Sequence, residues 1–374
     1  MGAEAVLCPS SAHGKSPASE SPVSVGNAPT ALALTPDGNL LAVVNRADGT
    51  ISVVDPVKMQ VSATYSALTA ADRDKVGCGG VVLNITPAAP HRMLVDLQCT
   101  SSEFGGTFHL VNLDTGSLTC TGIAGCGSNG TDISFGFGLA AMASTPDGNK
   151  IFLAGATVGL LDLIANTLKT GFAGSFSDAA ASADGTVFAA TFGISDAQLN
   201  RTSIMAFEPY ADSGSQSLHN VSGEKLNASG SLLFFPQDSG VYIFDVHTGR
   251  LVRHVVLPEP IPFDSNALVL DETGSKMFLI SNSGITAAEL DEVPLGLATV
   301  NPSSGLSGTT VTLRGSGFRN GATVKFGTLE TSTTVVDSNT LKAIVPALAA
   351  GPVRVTVTNP DGDDYPLDDA FKIN

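Results

Sequence analysis

Residues 34 to 55 read LTPDGNLLAVVNRADGTISVVD. The runs LLAVV and TISVVD are separated by polar turn residues, and TALAL stands before them. Pro, Asp and Gly in succession make a tight reversal: Pro presets φ, Asp bonds its own backbone and Gly accepts positive φ. Each apolar run is therefore a short strand and each polar gap a hairpin. The pentapeptide TPDGN returns at Thr145 to Asn149, again between apolar runs, GLAAMAS and KIFLA.

A turn used twice suggests an internal repeat, and weaker copies occur at similar spacing. Thr86 opens TPAA, Ser182 opens SADG, Asn227 opens NASG and Asp271 opens DETG, so six turns begin at 35, 86, 145, 182, 227 and 271. Spacing of roughly 40 to 50 residues is that of a four-stranded propeller blade. The first unit fits completely: TALAL, NLLAVV, TISVVD and QVSATY are four strands joined by three reversals. Gly49 with Thr50, Gly106 with Thr107, Gly159 and Gly240 lead into the third strand of their units. The unit beginning near Asp178 carries ISDAQLNRTS, which we read as an insertion between its second and third strands. The second unit carries extra cysteine-containing segments. Insertions of this kind belong to rim loops, where binding surfaces are built.

The same 22 residues resemble the YVTN-type β-propeller repeat, in which a PDG turn precedes an apolar strand, a polar turn with Asn, and a strand ending in Asp. The resemblance implies a β-propeller; the Gly, Pro and β-branched content reads as all-β, and the six turns imply six blades, with seven as the alternative. The last visible unit, ending with ITAAEL near Glu289, lacks a fourth strand, and Val23 to Val25 are positioned to supply it and remove an open sheet edge. Residues 1–22, rich in Ser, Pro and Ala, form a flexible lead-in, and the propeller is expected over 23–296.

From Leu297 the texture changes. TVTLRG, TVKFG, TTVVDS, LKAIVP and VRVTVTN alternate apolar with polar residues, as half-buried strands of a small sandwich do. Pro302 with Gly305, the run to Phe318, VKFG, GPVRVTVTNPDG and the final AFKI resemble the IPT/TIG immunoglobulin-like domain, in order, across residues 297–374. That resemblance implies an immunoglobulin-like β-sandwich following the propeller and used for spacing or adhesion.

Composition narrows the function classes. In 374 residues, 35 acidic side chains against 19 basic ones leave a formal charge of −16, which repels a phosphate backbone, so no nucleic acid is expected as a partner. No apolar run reaches the roughly 18 to 20 residues of a transmembrane segment. The opening MGAEAVLCPSS reads as an added Met-Gly ahead of a processed, exported sequence. Of five cysteines, four are disulfide candidates. If Asn84 pairs with Met93, positions summing to 177 face each other and Cys78 stands opposite Cys99; Cys120 and Cys126 flank TGIAG and could close a small loop. The opposing reading is five reduced thiols.

No chemical motif emerges. The histidines at 13, 91, 109, 219, 247 and 254 fall in no metal-ligand spacing and read as turn or surface residues. GxSxG is absent, and without tryptophan the chain lacks the blade motifs of quinoprotein dehydrogenases and WD-repeat propellers. The acidic run DGDDYPLDD at 361–369 offers calcium-type oxygen ligands but not the EF-hand spacing, and reads as a solvated loop. Phe104, Phe135 and Phe137, in Gly-rich loops, are the aromatic residues best placed for a sugar; those in IFLAG, LLFF and MFLI belong to the core.

These readings favour a non-enzymatic, monomeric, exported or cell-surface binding protein without metal or cofactor, the periplasm included, whose ligand is a protein, a glycan or a small molecule. One alternative is a lactonase-like propeller hydrolase with Asp, Glu and His converging on the channel mouth. Another is a structural surface-layer component.

Overall fold

The computed structural model describes residues 21–66, 81–98, 106–120 and, within 139–374, all but 166, 175, 177, 191–192, 205–222, 238–239 and 263–265. Its elements are all β. The first sheet is β1 (Pro29–Leu34), β2 (Leu41–Asn45), β3 (Thr50–Asp55) and β4 (Gln60–Ser66), antiparallel and in chain order. The second repeats that order with β5 (Val81–Ala89), β6 (Arg92–Gln98), β7 (Gly106–Asn112) and β8 (Leu118–Cys120). The third holds β9 (Ala141–Ser144), β10 (Lys150–Ala154), β11 (Thr157–Asp162) and β12 (Thr167–Ala173). Next come β13 (Ala180–Ala181), β14 (Val187–Ala190), β15 (Gly193–Asp196) and β16 (Arg201–Ile204). The fifth is β17 (Lys225–Leu226), β18 (Leu232–Gln237), β19 (Gly240–Asp245) and β20 (Leu251–Val256). The sixth has three strands, β21 (Leu268–Leu270), β22 (Lys276–Ser281) and β23 (Gly284–Glu289).

Burial explains the sequence texture of each unit. Strand β2 is buried along its whole length while β4 is mostly exposed, so LAVVN is continuously apolar and QVSATYS is not. Successive sheets pack face to face. Ala33, Val44 and Ile51 of the first meet Met93 and Val95 of the second, and Phe152 of the third stacks on Phe188 of the fourth with ring centroids 5.0 Å apart. The sixth sheet packs back on the first, through Phe278 and Ile280 against Leu41 and Val43. The six first strands touch in the order β1, β5, β9, β13, β17, β21 and again β1. Val23 N donates to Ile285 O (2.8 Å) and Ile285 N to Val23 O (2.9 Å), placing Val23 beside β23.

Five of the six expected turns share one construction. The fourth residue donates its N–H to the first residue's carbonyl and has positive φ at Gly38, Gly148, Gly185, Gly230 and Gly274. The first side chain accepts the N–H of the sixth residue: Thr35 from Leu40, Thr145 from Lys150, Ser182 from Val187, Asn227 from Leu232 and Asp271 from Lys276. Thr, Ser, Asn and Asp are interchangeable there because each carries an oxygen that reaches that N–H.

Three readings of the repeat need correction. Thr86 does not open a turn: β5 runs through TPAA to Ala89, and the reversal lies at Pro90 and His91, with φ of 55° at His91. The register is also different, since Asn84 pairs with Asp96 and Pro87 with Met93. The alignment that set Cys78 opposite Cys99 is therefore not the one the strands adopt. ISDAQLNRTS is no insertion either; it forms β15, a turn and the start of β16. Asp196 accepts the backbone N–H groups of Gln198 and Asn200 there, which makes the turn local and tight.

Beyond Leu290 the strands are β24 (Gly296–Asn301), β25 (Ser304–Gly305), β26 (Thr310–Ser316), β27 (Thr323–Phe326), β28 (Leu329–Thr331), β29 (Thr333–Asp337), β30 (Thr340–Ile344), β31 (Gly351–Thr358) and β32 (Asp364–Ile373). One sheet orders β24-β26-β30-β29 and the other β25-β32-β31-β27-β28. A single core lies between them, with Phe326 and Phe371 edge to face at 5.6 Å. This immunoglobulin-like unit contacts the fifth and sixth sheets. Ser231 Oγ donates to Ser316 Oγ (2.9 Å), which donates to Pro294 O (2.9 Å), and Asn339 Nδ2 donates to Glu272 O (3.1 Å).

Candidate functional site

The six first strands surround a cavity of about 540 Å³. Each sheet contributes apolar lining: Leu34, Ile85, Met142, Ala181, Leu226 and Leu270, in chain order. The turns supply the polar rim, with Asp37, Asp271 and Glu272, and two lysines, Lys225 and Lys276, complete it. Apolar walls with few polar groups are the usual make-up of a small-molecule site.

Two of the rim carboxylates, Asp37 and Asp271, are already engaged within their turns. Asp37 accepts hydrogen bonds from the Thr35 hydroxyl (2.6 Å) and from Asn39, and the Thr35 bond leads the set that lowers its pKa to about 2. Asp271 accepts from Thr273 (2.6 Å), Ser275 (3.2 Å) and the Lys276 N–H (2.9 Å). Lys276 Nζ reaches Pro56 O at 3.4 Å, Glu289 Oε1 at 3.5 Å and the Phe278 ring at 5.3 Å from its centroid. These groups shape the mouth, and their hydrogen bonds within the protein are largely satisfied.

Lys225 is different. It is the first residue of β17, and its side chain joins three sheets: Nζ donates to Asn266 Oδ1 at 3.1 Å and to Ala179 O at 3.4 Å. Burial pushes its pKa down to about 8, against the opposing pull of Asp178 and Glu224. Asp178 and Glu224 are both buried, and Asp178 Oδ1 accepts the Gly223 N–H at 2.5 Å. Gly223 has φ of 121°, and a Cβ there would come within 2.8 Å of Ala267 N, so glycine permits the close approach of these two first strands. Asn266 N in turn donates to Thr30 O at 2.8 Å. A polar belt thus crosses the fourth, fifth, sixth and first sheets, and Lys225 is its member that lines the cavity.

The residues singled out in the sequence are scattered. Cys78, Cys99 and Cys126 lie outside the described residues; Cys120 ends β8. His13, His219, Phe104, Phe135 and Phe137 also lie outside them. His91 sits in the second unit's turn, with Nδ1 2.9 Å from Asp114 Oδ1 and Nε2 3.3 Å from Asp37 Oδ2. His109 is neither in a turn nor at the surface but buried in β7. His247 Nε2 donates to Ala298 O at 3.0 Å, and His254 stacks on Tyr242 with centroids 4.2 Å apart. The acidic run is mostly strand rather than loop: residues 364–369 lie in β32, Asp361 pairs with Arg319 and Asp368 with Arg354. Alternation of outward carboxylates with inward Tyr365 and Leu367 made the stretch look like a polar loop. Among the described residues no group of three or more His, Cys, Asp or Glu is placed to hold a metal ion.

Asp96, missed in the sequence, is buried opposite Asn84 at 3.5 Å, and burial raises its pKa to about 6. Nothing in the sequence marked Lys225, because the belt assembles from residues some 40 apart that no local motif connects.

Comparison with known proteins places one part of the chain. No curated protein matches the chain. Residues 297–373 match the family model of the IPT/TIG domain.

Proposed function

We propose that the chain is a non-enzymatic binding protein in which residues 23–296 close into a six-bladed β-propeller and the cavity among the first strands takes a small, largely apolar ligand. Three observations support the ring: the cyclic contact of the first strands, the packing of the sixth sheet on the first, and the pairing of Val23 with Ile285. Among the described residues six sheets precede Leu290, which favours six blades over seven. The domain from residue 297 serves attachment or protein contact, as IPT/TIG domains commonly take part in protein binding or adhesion. It also favours an extracellular or cell-surface location, and no helix among the described residues is long and apolar enough to cross a membrane.

The cavity carries this reading. A space of about 540 Å³ accommodates a small molecule, and its lining draws on each of the six sheets before Leu290. The test is a thermal-shift screen of small apolar alcohols, acids, aldehydes and short glycans against the intact chain and Ala181→Phe, which fills the cavity. The expected result is a rise in Tm with apolar compounds that the filled variant loses. Equal shifts in both proteins, or shifts with no compound, would overturn it.

A further inference from the structure

The cavity combines apolar walls with one amine at its polar belt. Lys225 Nζ makes its hydrogen bonds to two neutral oxygens, Ala179 O and Asn266 Oδ1. In its neutral form this primary amine has two N–H donors, which those two acceptors satisfy, and one lone pair able to attack a carbonyl carbon. Buried Asp178 and Glu224 already put negative charge near this amine. A carboxylate ligand would add another anion where water screens poorly, whereas a neutral carbonyl compound adds none.

Resting on the reading of the cavity as a ligand site, we propose that Lys225 captures an apolar aldehyde or ketone there as an imine. The Nζ lone pair attacks the carbonyl carbon and a C–N bond forms as the C=O π pair moves onto oxygen. A proton passes from nitrogen to that oxygen, giving a carbinolamine. The hydroxyl then leaves with the remaining nitrogen proton as water, and a C=N bond remains. Amine plus carbonyl gives imine plus water, with no oxidant or reductant.

Burial makes this amine reactive near neutrality. With a pKa of about 8, roughly a quarter of Lys225 is neutral at pH 7.5, against about a thousandth of an ordinary lysine. A less basic amine is also a weaker nucleophile, which removes roughly tenfold of that advantage, and a net preference on the order of tenfold remains.

The experiment treats the full chain with heptanal and cyanoborohydride at pH 7.5, then maps the peptides by mass. Lys58, exposed and paired with Asp55 at 2.7 Å, is the internal reference. The expected result is one heptyl group per chain at Lys225, acquired on the order of tenfold faster than at Lys58 and absent from Lys225→Arg. Arginine cannot form the imine but keeps a cationic donor, and the Tm of that variant reports its fold. Labelling of Lys58 at or above the rate of Lys225 overturns the proposal, and it does so in the unmutated chain. Heptan-1-ol separates the two readings. If it raises Tm while heptanal leaves Lys225 unmodified, capture is wrong and the cavity reading stands; if neither compound acts, both fall.

Discussion

At Gly148 a methyl group would sit 1.9 Å from Ala88 O, whereas at Gly38, the same position in the first copy of the turn, it would meet nothing within 4 Å. Both glycines have left-handed φ, 67° and 72°. Gly38→Ala should therefore cost about 1 kcal/mol, the conformational penalty alone. Gly148→Ala should cost at least about 2 kcal/mol more, because backbone of the neighbouring unit must move. Urea unfolding of the two variants measures the difference, and equal losses would show that the Ala88 segment yields freely. His91 gives a second residue-scale expectation. Its hydrogen bond to Asp114, then the smaller contribution of Asp37, raises its pKa in the folded chain. A group whose pKa rises on folding contributes its stability fully below the unfolded value of about 6.5 and loses it as pH climbs through the folded value. His91→Gln should thus destabilise more at pH 5.5 than at pH 8.5; the same loss at both would show that the charged form gains nothing from its two carboxylates.

Strands and turns were legible where the physics is local. TPDGN announces its own hydrogen bonds, because Asp37 and Asn39 close them within five residues. The second unit was misread because Pro87 and two alanines look like a turn, while the fold uses them as strand and reverses at Pro90 and His91. There Thr86 Oγ1 instead reaches across to the third sheet, accepting the Ser144 N–H at 2.9 Å, a partner no local reading supplies. The pairing of Val23 with Ile285 was legible for the opposite reason, since a sheet short of one strand demands a donor. Deleting residues 1–26 removes the two Val23–Ile285 hydrogen bonds and the contacts of Val23 and Val25 with the core between the sixth and first sheets. The expected outcome is a Tm lower by roughly 3–8 °C, with earlier aggregation on heating as the β23 edge is exposed. Scanning calorimetry with light scattering checks both, and an unchanged Tm would show that the early residues hold nothing closed.

For the molecule as a whole, the Lys225 belt was invisible in the sequence because its members come from four sheets, and only the fold gives the stretch EKLNASG a lysine at a cavity wall. The contact between the immunoglobulin-like unit and the sheets before it was equally hidden, though it has definite residues. Tyr365 of β32 lies against the buried Asp245 at the end of β19; burial first, then that neighbouring negative charge, raises its phenol pKa well beyond the usual tyrosine range. Asp245 also accepts the N–H and hydroxyl of Thr248, both at 2.7 Å, so its carboxylate is fixed before the second unit docks. A flexible tether would leave the two positions independent. A packed joint makes them interact, so a double-mutant cycle of Asp245→Ala and Tyr365→Phe should return a coupling energy of about 1 kcal/mol in urea unfolding. Additive losses would mean that the IPT/TIG domain only hangs from the sheets, whereas measurable coupling means that a partner gripping this domain also holds the fifth sheet, and with it the strand that carries Lys225.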